Sequence, residues 1–247
     1  MEPENHRGIF QAEMTAQEIS ICLRSLADPA RAEHSGRYFK TGLGEYGEGD
    51  RFLGIRVPDI RAQVKKYGAV SLGDIQVLLM SDFHEERLFA LLLLVRKFAK
   101  GDEKEQAAIY NLYLNNTHRI NNWDLVDSSA SYIVGSYLES RDKKILYQLA
   151  KSASVWERRI AVISTFQFIA NNQFDDALKL ARQLLNDEHD LIHKAVGWML
   201  REIGKRNVVV EKAYLQAHYK KMPRTMLRYA IEKLPEQERK KYLLGEI

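Results

Sequence analysis

No proline occurs between Pro58 and Pro223, and the 164 residues that separate them are rich in Leu, Ala, Lys, Glu and Arg. A proline inside a helix removes a hydrogen bond and clashes with the preceding turn, at about 3 kcal/mol, so this stretch is open to helix along its whole length. Residues 87–97, 127–137, 158–168 and 193–203 are apolar over most of their circumference, the pattern of helices buried on several sides. Residues 105–114, 142–150 and 174–185 lie between them and are amphipathic. There is no sustained two-residue alternation, so no sheet is predicted.

The buried segments recur. Ala90, Val126, Ala161, Ala195 and Ala230 occupy matching places in the local patterns, at steps of 36, 35, 34 and 35 residues. Each step has room for an outer helix, a turn and an inner helix, with turn signals such as Asn115-Asn116-Thr117, Asn186-Asp187 and Met222-Pro223. A period of this size predicts an all-α fold, an α-solenoid of HEAT-like helical repeats with a basic concave cleft. The expected organisation is one domain over residues 1–247. Irregular helices over 15–28 and 58–66 belong to an N-terminal cap of about 70 residues, which carries a glycine-rich loop at 41–54, and helix-pair repeats fill the rest.

Composition excludes several classes. Cys22 is the one cysteine, so no intramolecular disulfide can form and a reducing compartment fits. The longest apolar run, residues 88–95, is far short of the roughly 20 residues that cross a bilayer. Residues 1–8 are polar and acidic, unlike a secretory signal. The expectation is a cytoplasmic protein without membrane contact. The net charge is only +4, but residues 201–247 hold 12 Lys/Arg against 6 Asp/Glu. A basic end on a near-neutral body suits a polyanion, although a solvated basic face would read the same way.

Inner helices of a curved solenoid line its concave side. At their first turns stand Arg87, Trp123, Trp156, Arg159, Lys194 and Arg228, and Arg159, Lys194 and Arg228 follow one another at 35 and 34 residues. Cations repeated in register form a track that a phosphate backbone can follow. Trp123 and Asp127, four residues apart on one helix face, project an indole and a carboxylate together, with Asn121 or Asn122 as the helix cap. Trp198 follows Lys194 at the same spacing. The competing reading is core packing for the tryptophans and dipole compensation for the aspartate.

Four segments carry a resemblance: Arg37-Tyr38-Phe39-Lys40, Phe52-Leu53-Gly54-Ile55-Arg56-Val57-Pro58, Asn122-Trp123-Asp124-Leu125-Val126-Asp127, and Ala195-Val196-Gly197-Trp198-Met199-Leu200-Arg201-Glu202. In this order and spacing the chain resembles the AlkD family of bacterial DNA alkylation repair glycosylases from about Arg37 onward. The resemblance implies cleavage of the N-glycosidic bond of N3- and N7-alkylated purines in duplex DNA. It implies catalytic roles for Trp123, Asp127 and Trp198, and an active-site Arg159 that holds a phosphate. It implies DNA contacts by Tyr38, Lys40 and Arg56; Lys194, Arg201 and Arg228 extend the basic track. A monofunctional enzyme acting as a monomer in base excision repair follows, with no metal or cofactor, and with a lesion that need not enter a base pocket. Residues 41–54 form a longer loop than in the most compact members, and Asn122 stands where a second aromatic can occur.

Two other motifs point elsewhere. Gly42-Leu43-Gly44-Glu45-Tyr46-Gly47 satisfies G-x-G-x-x-G, but no strand precedes it and Glu45, Glu48 and Asp50 would repel a pyrophosphate. The expected role is a loop that orders against DNA or packs on the first repeat. His189 and His193 have the i, i+4 spacing of a metal pair without a third ligand nearby. The rival functions are a non-catalytic module for distorted or branched DNA, and a solenoid that receives an acidic helix in its groove.

Overall fold

The structure, a computed structural model, describes residues 14–247, so the polar opening at residues 1–8 lies outside it. The chain is all-α: among the described residues there is no strand, only an isolated bridge between Arg51 and Phe83.

Helix starts follow their capping signals. Thr15 and Glu18 form a capping box on α1 (Ala16–Arg24). Asp28 caps α2 (Pro29–Tyr38) just ahead of a proline suited to the first helical position, and Pro58 lies in the first turn of α3 (Val57–Lys66). Next come α4 (Leu72–Leu79), α5 (His84–Phe98), α6 (Glu103–Asn115), α7 (Trp123–Asp127), α8 (Ser136–Leu138) and α9 (Lys144–Leu149). The remaining helices are α10 (Val155–Ala170), α11 (Asp175–Gln183), α12 (Asp190–Arg206), α13 (Val208–His218), α14 (Arg224–Ala230) and α15 (Glu236–Leu244).

Helices α5, α7, α10, α12 and α14 are the inner members, each packed against the next along the chain. Their register residues, Ala90, Val126, Ala161, Ala195 and Ala230, are all at 0% exposure, so the repeat seen in the sequence is a row of buried contacts. One continuous apolar core runs from Ala16 to Tyr242. Among the described residues no helix is long and apolar enough to cross a membrane.

Two helical expectations change. The helix expected over 15–28 ends at Arg24, and residues 29–38 form a separate helix, α2, with no buried residue and therefore no apolar stripe to announce it. The continuous helix expected over 127–137 is broken. Ser129 Oγ donates to the Leu125 carbonyl at 2.5 Å and Ser128 Oγ to the same oxygen at 3.3 Å. These hydroxyls compete with the backbone for a helical acceptor. The chain therefore leaves α7 at Asp127 and resumes through a π-helical turn, Ser131–Gly135, into α8. Gly135 lets α10 close in, since a Cβ there would overlap the Ser164 carbonyl.

The glycine-rich segment packs on the first repeat, one of its two expected roles. Glu85 of α5 accepts the backbone N–H groups of Leu53, Gly54 and Ile55 at 2.8, 2.7 and 3.2 Å. Gly54 has φ 80°, and a Cβ would collide with the Asp28 carbonyl, so this tight passage requires glycine.

Candidate active site

A cleft of about 500 Å³ opens across the inner helices. Helix α7 contributes Trp123 and Asp127, α10 contributes Arg159, and α12 contributes Lys194, Trp198 and Arg201. Tyr38 of α2, Lys40 just after it, Tyr46 of the glycine-rich segment, Leu191 of α12 and Tyr229 of α14 complete the walls.

Local chemistry fixes each group. The Asn122 side chain accepts the Trp123 N–H at 2.9 Å and starts α7, which points Trp123 and Asp127 the same way. Trp123 stacks on Phe39 with centroids 5.3 Å apart and meets the edge of Tyr38 at 6.1 Å. On α12 the Trp198 indole N–H donates to Glu202 one turn later at 3.1 Å. Glu202 also receives Lys205 at 2.6 Å, so the ring is held from its polar edge.

Asp127 and Arg159 form a bidentate pair. Arg159 Nε donates to Oδ1 and Nη2 to Oδ2, both at 2.8 Å, while Nη1 donates to the Leu191 carbonyl at 2.5 Å. The guanidinium is nearly enclosed, at 6% side-chain exposure, whereas the carboxylate keeps 19% and faces the cleft. Burial pushes the Asp127 carboxyl above the usual carboxylate range; the hydrogen bonds and charge of Arg159 counter that push, and the like charge of Asp124 adds to it. The result is a negative group oriented by a fixed partner in a partly dry, aromatic-walled cleft.

The cation track is shorter than the sequence predicts. Lys40, Lys194 and Arg201 reach the cleft, Lys194 paired with Asp190 at 2.8 Å and Arg201 with Glu232. The edge of the Arg159 fork that would suit a phosphate is paired with Asp127. Arg87 and Trp156 are buried. Arg56 pairs with Asp59 at 2.9 Å and borders a different hollow, beyond Phe39. Arg228 is exposed and lines another hollow, with Glu232 and Glu236.

Tyr46, Leu191 and Tyr229 are the cleft residues the sequence reading missed. Tyr229 precedes the buried Ala230 as Lys194 precedes Ala195, a match in register that the sequence offered. Tyr46 meets the edge of Trp156 at 5.9 Å, and nothing in its glycine-rich surroundings marks it as a wall residue. The amides of Gly42 and Gly44 donate to Glu45 and Glu48 at 2.9 Å, so carboxylates take the place a phosphate would need. His189 caps α12 by accepting the Leu191 N–H, and His193 meets the Asp187 carbonyl, so both imidazoles serve the turn before that helix.

A family model described as "DNA alkylation repair enzyme" matches residues 19–234. A solved structure described as a predicted DNA alkylation repair enzyme from Enterococcus faecalis is similar at TM-score 0.66 and 19% identity, covering 85% of this chain and 97% of that one. A second, smu.31 from Streptococcus mutans, aligns at TM-score 0.49 and 19% identity over 87% of this chain and 96% of that one. No curated protein matches the chain.

Proposed function

The chain belongs to the DNA alkylation repair enzyme family, and from that premise we propose that it is a monofunctional DNA glycosylase for N3- and N7-alkylated purines. One observation carries the reading: a carboxylate, Asp127, aligned by Arg159, in a cleft whose walls include two indoles and three cations. A module that only bound DNA would gain nothing from an acid among phosphate-binding lysines, since it repels the polyanion. An acid there favours positive charge, which is what this reaction develops.

Alkylation at N3 or N7 makes the purine cationic, so it leaves as a neutral base, taking the electron pair of the N-glycosidic bond. Positive charge then grows on the deoxyribose. Asp127 stabilises that charge through space, as preorganised groups do where water is partly excluded. Trp123 and Trp198 offer their faces to the polarised sugar C–H groups. Water adds to C1′ opposite the departing base, and its proton passes to Asp127 or to solvent. Arg159 keeps the carboxylate ionised and correctly turned. Lys40, Lys194 and Arg201 take neighbouring phosphates, and Tyr38 packs against the sugar–phosphate edge. The protein works in this scheme as a monomer on duplex DNA, within base excision repair in the cytoplasm.

The test is base release. Purified protein incubated with methylated duplex DNA should liberate 7-methylguanine or 3-methyladenine well above spontaneous depurination. Release at the spontaneous rate, with duplex binding intact, would assign the protein to the binding modules instead.

A further inference from the structure

A set of enclosed charges lies behind the cleft, outside the chemistry described above. His84 opens α5 at 1% exposure. Its Nδ1 lies 2.8 Å from Asp50 Oδ2 and its Nε2 lies 2.8 Å from Asp124 Oδ2. A neutral imidazole has one N–H and cannot donate to two carboxylates, so this geometry calls for the doubly protonated ring. Arg87 Nη2 donates to the other oxygen of Asp50 at 2.6 Å, and the Asp50 side chain has no exposure at all. Two acids and two bases thus form a neutral set.

The two acids come from different parts of the fold. Asp50 lies in the glycine-rich segment, whose Tyr46 lines the cleft together with the preceding Lys40, and Asp124 is the neighbour of Trp123 on α7. A second link runs through rings: His84 stacks on Phe52 at 4.5 Å and lies 5.1 Å from Phe39, and Phe39 stacks on Trp123. We propose that His84, held between Asp50 and Asp124, is a positioning residue that fastens the glycine-rich segment to α7 and so fixes the Trp123 ring and the wall opposite it. This rests on the glycosylase reading for its kinetic consequence, but the latch itself can be observed without it.

Burial alone would drive the imidazole toward neutrality. The charges and hydrogen bonds of Asp124 and Asp50 outweigh that and push its pKa up to about 9. Asp50 shows the complement: burial raises it, while His84 and Arg87 more than compensate and hold it below the ordinary range. Other charges around the ring are committed elsewhere. Glu85 is bound to the 53–55 backbone, and Arg31 and Arg56, across the adjoining hollow, pair with Asp28 and Asp59. The latch is therefore closed at neutral pH and opens as pH rises through about 9.

The experiment uses the full chain and single-turnover release of 7-methylguanine, corrected for spontaneous loss, across pH 7 to 10. The wild-type rate should fall through the latch midpoint. Asp50→Asn, which removes one of the two charges holding the proton, should move that fall down by about one pH unit or more. His84→Gln should lose about tenfold or more in rate with duplex affinity unchanged, as misplacement of catalytic groups does. In a chain carrying Trp156→Phe and Trp198→Phe, acrylamide quenching of Trp123 should rise over the same pH range, and adding His84→Gln should abolish the transition. That fluorescence readout stands even if His84→Gln alone folds poorly. A wild-type rate in His84→Gln, an unmoved midpoint in Asp50→Asn, or pH-independent quenching each overturns the positioning role. Absence of base release by the wild type, with the quenching transition present, overturns the glycosylase reading alone.

Discussion

Asp127→Asn removes a charge with almost no change of shape, and the neighbouring guanidinium makes the outcome distinctive. A sugar carbon seated against the cleft face would stand about 4 Å from the carboxylate, where at an effective dielectric of about 20 a unit charge would be stabilised by roughly 4 kcal/mol, or about a thousandfold in rate. The guanidinium, about 7 Å from such a carbon, would oppose a positive transition state by roughly 2.4 kcal/mol in wild type and variant alike. The single variant therefore loses the attraction and keeps the repulsion. Asp127→Asn combined with Arg159→Gln loses both, and should release base about fiftyfold faster than Asp127→Asn alone. Two losses would then do less harm than one. Single-turnover release of 7-methylguanine measures all four members of this cycle. Thermal melts must accompany it, because a buried arginine left without its partner costs about 3–5 kcal/mol of stability. Asp127→Asn within tenfold of wild type, or a double variant slower than the single one, would refute the electrostatic account. The wild type should also lose rate on the acid side above the ordinary carboxylate range, because burial raises the Asp127 carboxyl and Arg159 only partly offsets it.

Two further predictions concern charge elsewhere. Glu211 of α13 is buried, and burial pushes its carboxyl up to about 7 from 4.5. The folded state thus holds a proton the unfolded chain gives up, so stability falls as pH rises from 4.5 to about 7, by at most about 3 kcal/mol. In urea titrations Glu211→Gln should stabilise the protein at pH 8, match it at pH 4 and flatten the interval; an unchanged pH dependence would refute the shift. Lys40→Ala and Lys194→Ala should each flatten the slope of log K against log salt for duplex binding by about 0.9, the value of one phosphate contact. Arg159→Ala should leave that slope alone, and a loss of one contact there would show that its remaining donors reach the backbone.

The repeat was legible because apolar burial leaves a periodic trace, and five residues in step mark five inner helices. Trp123, Asp127 and Trp198 were legible as residues that share helix faces and as parts of the resembling motifs. Their surroundings were not. Arg87 was expected on the concave track, and His84, Glu85 and Glu86 carried no signal at all, yet all four are buried, because most of their partners arrive from segments far away in the chain. The same holds for Asp127 and Arg159, whose 32-residue separation gives no local pattern. Ser128 and Ser129 broke a helix whose apolar period was intact, since a side-chain hydroxyl competing for one carbonyl does not alter the period. Periodicity reports which face is buried; it does not report which polar groups find one another there.

The carboxylate and guanidinium in the cleft belong to successive helix pairs, α7 and α10. A coil whose units touch only their neighbours bends at its joints, and here one joint is clasped by two short, parallel hydrogen bonds. The clasp lies where an incoming duplex would be gripped, so yielding at that joint would have to stretch it.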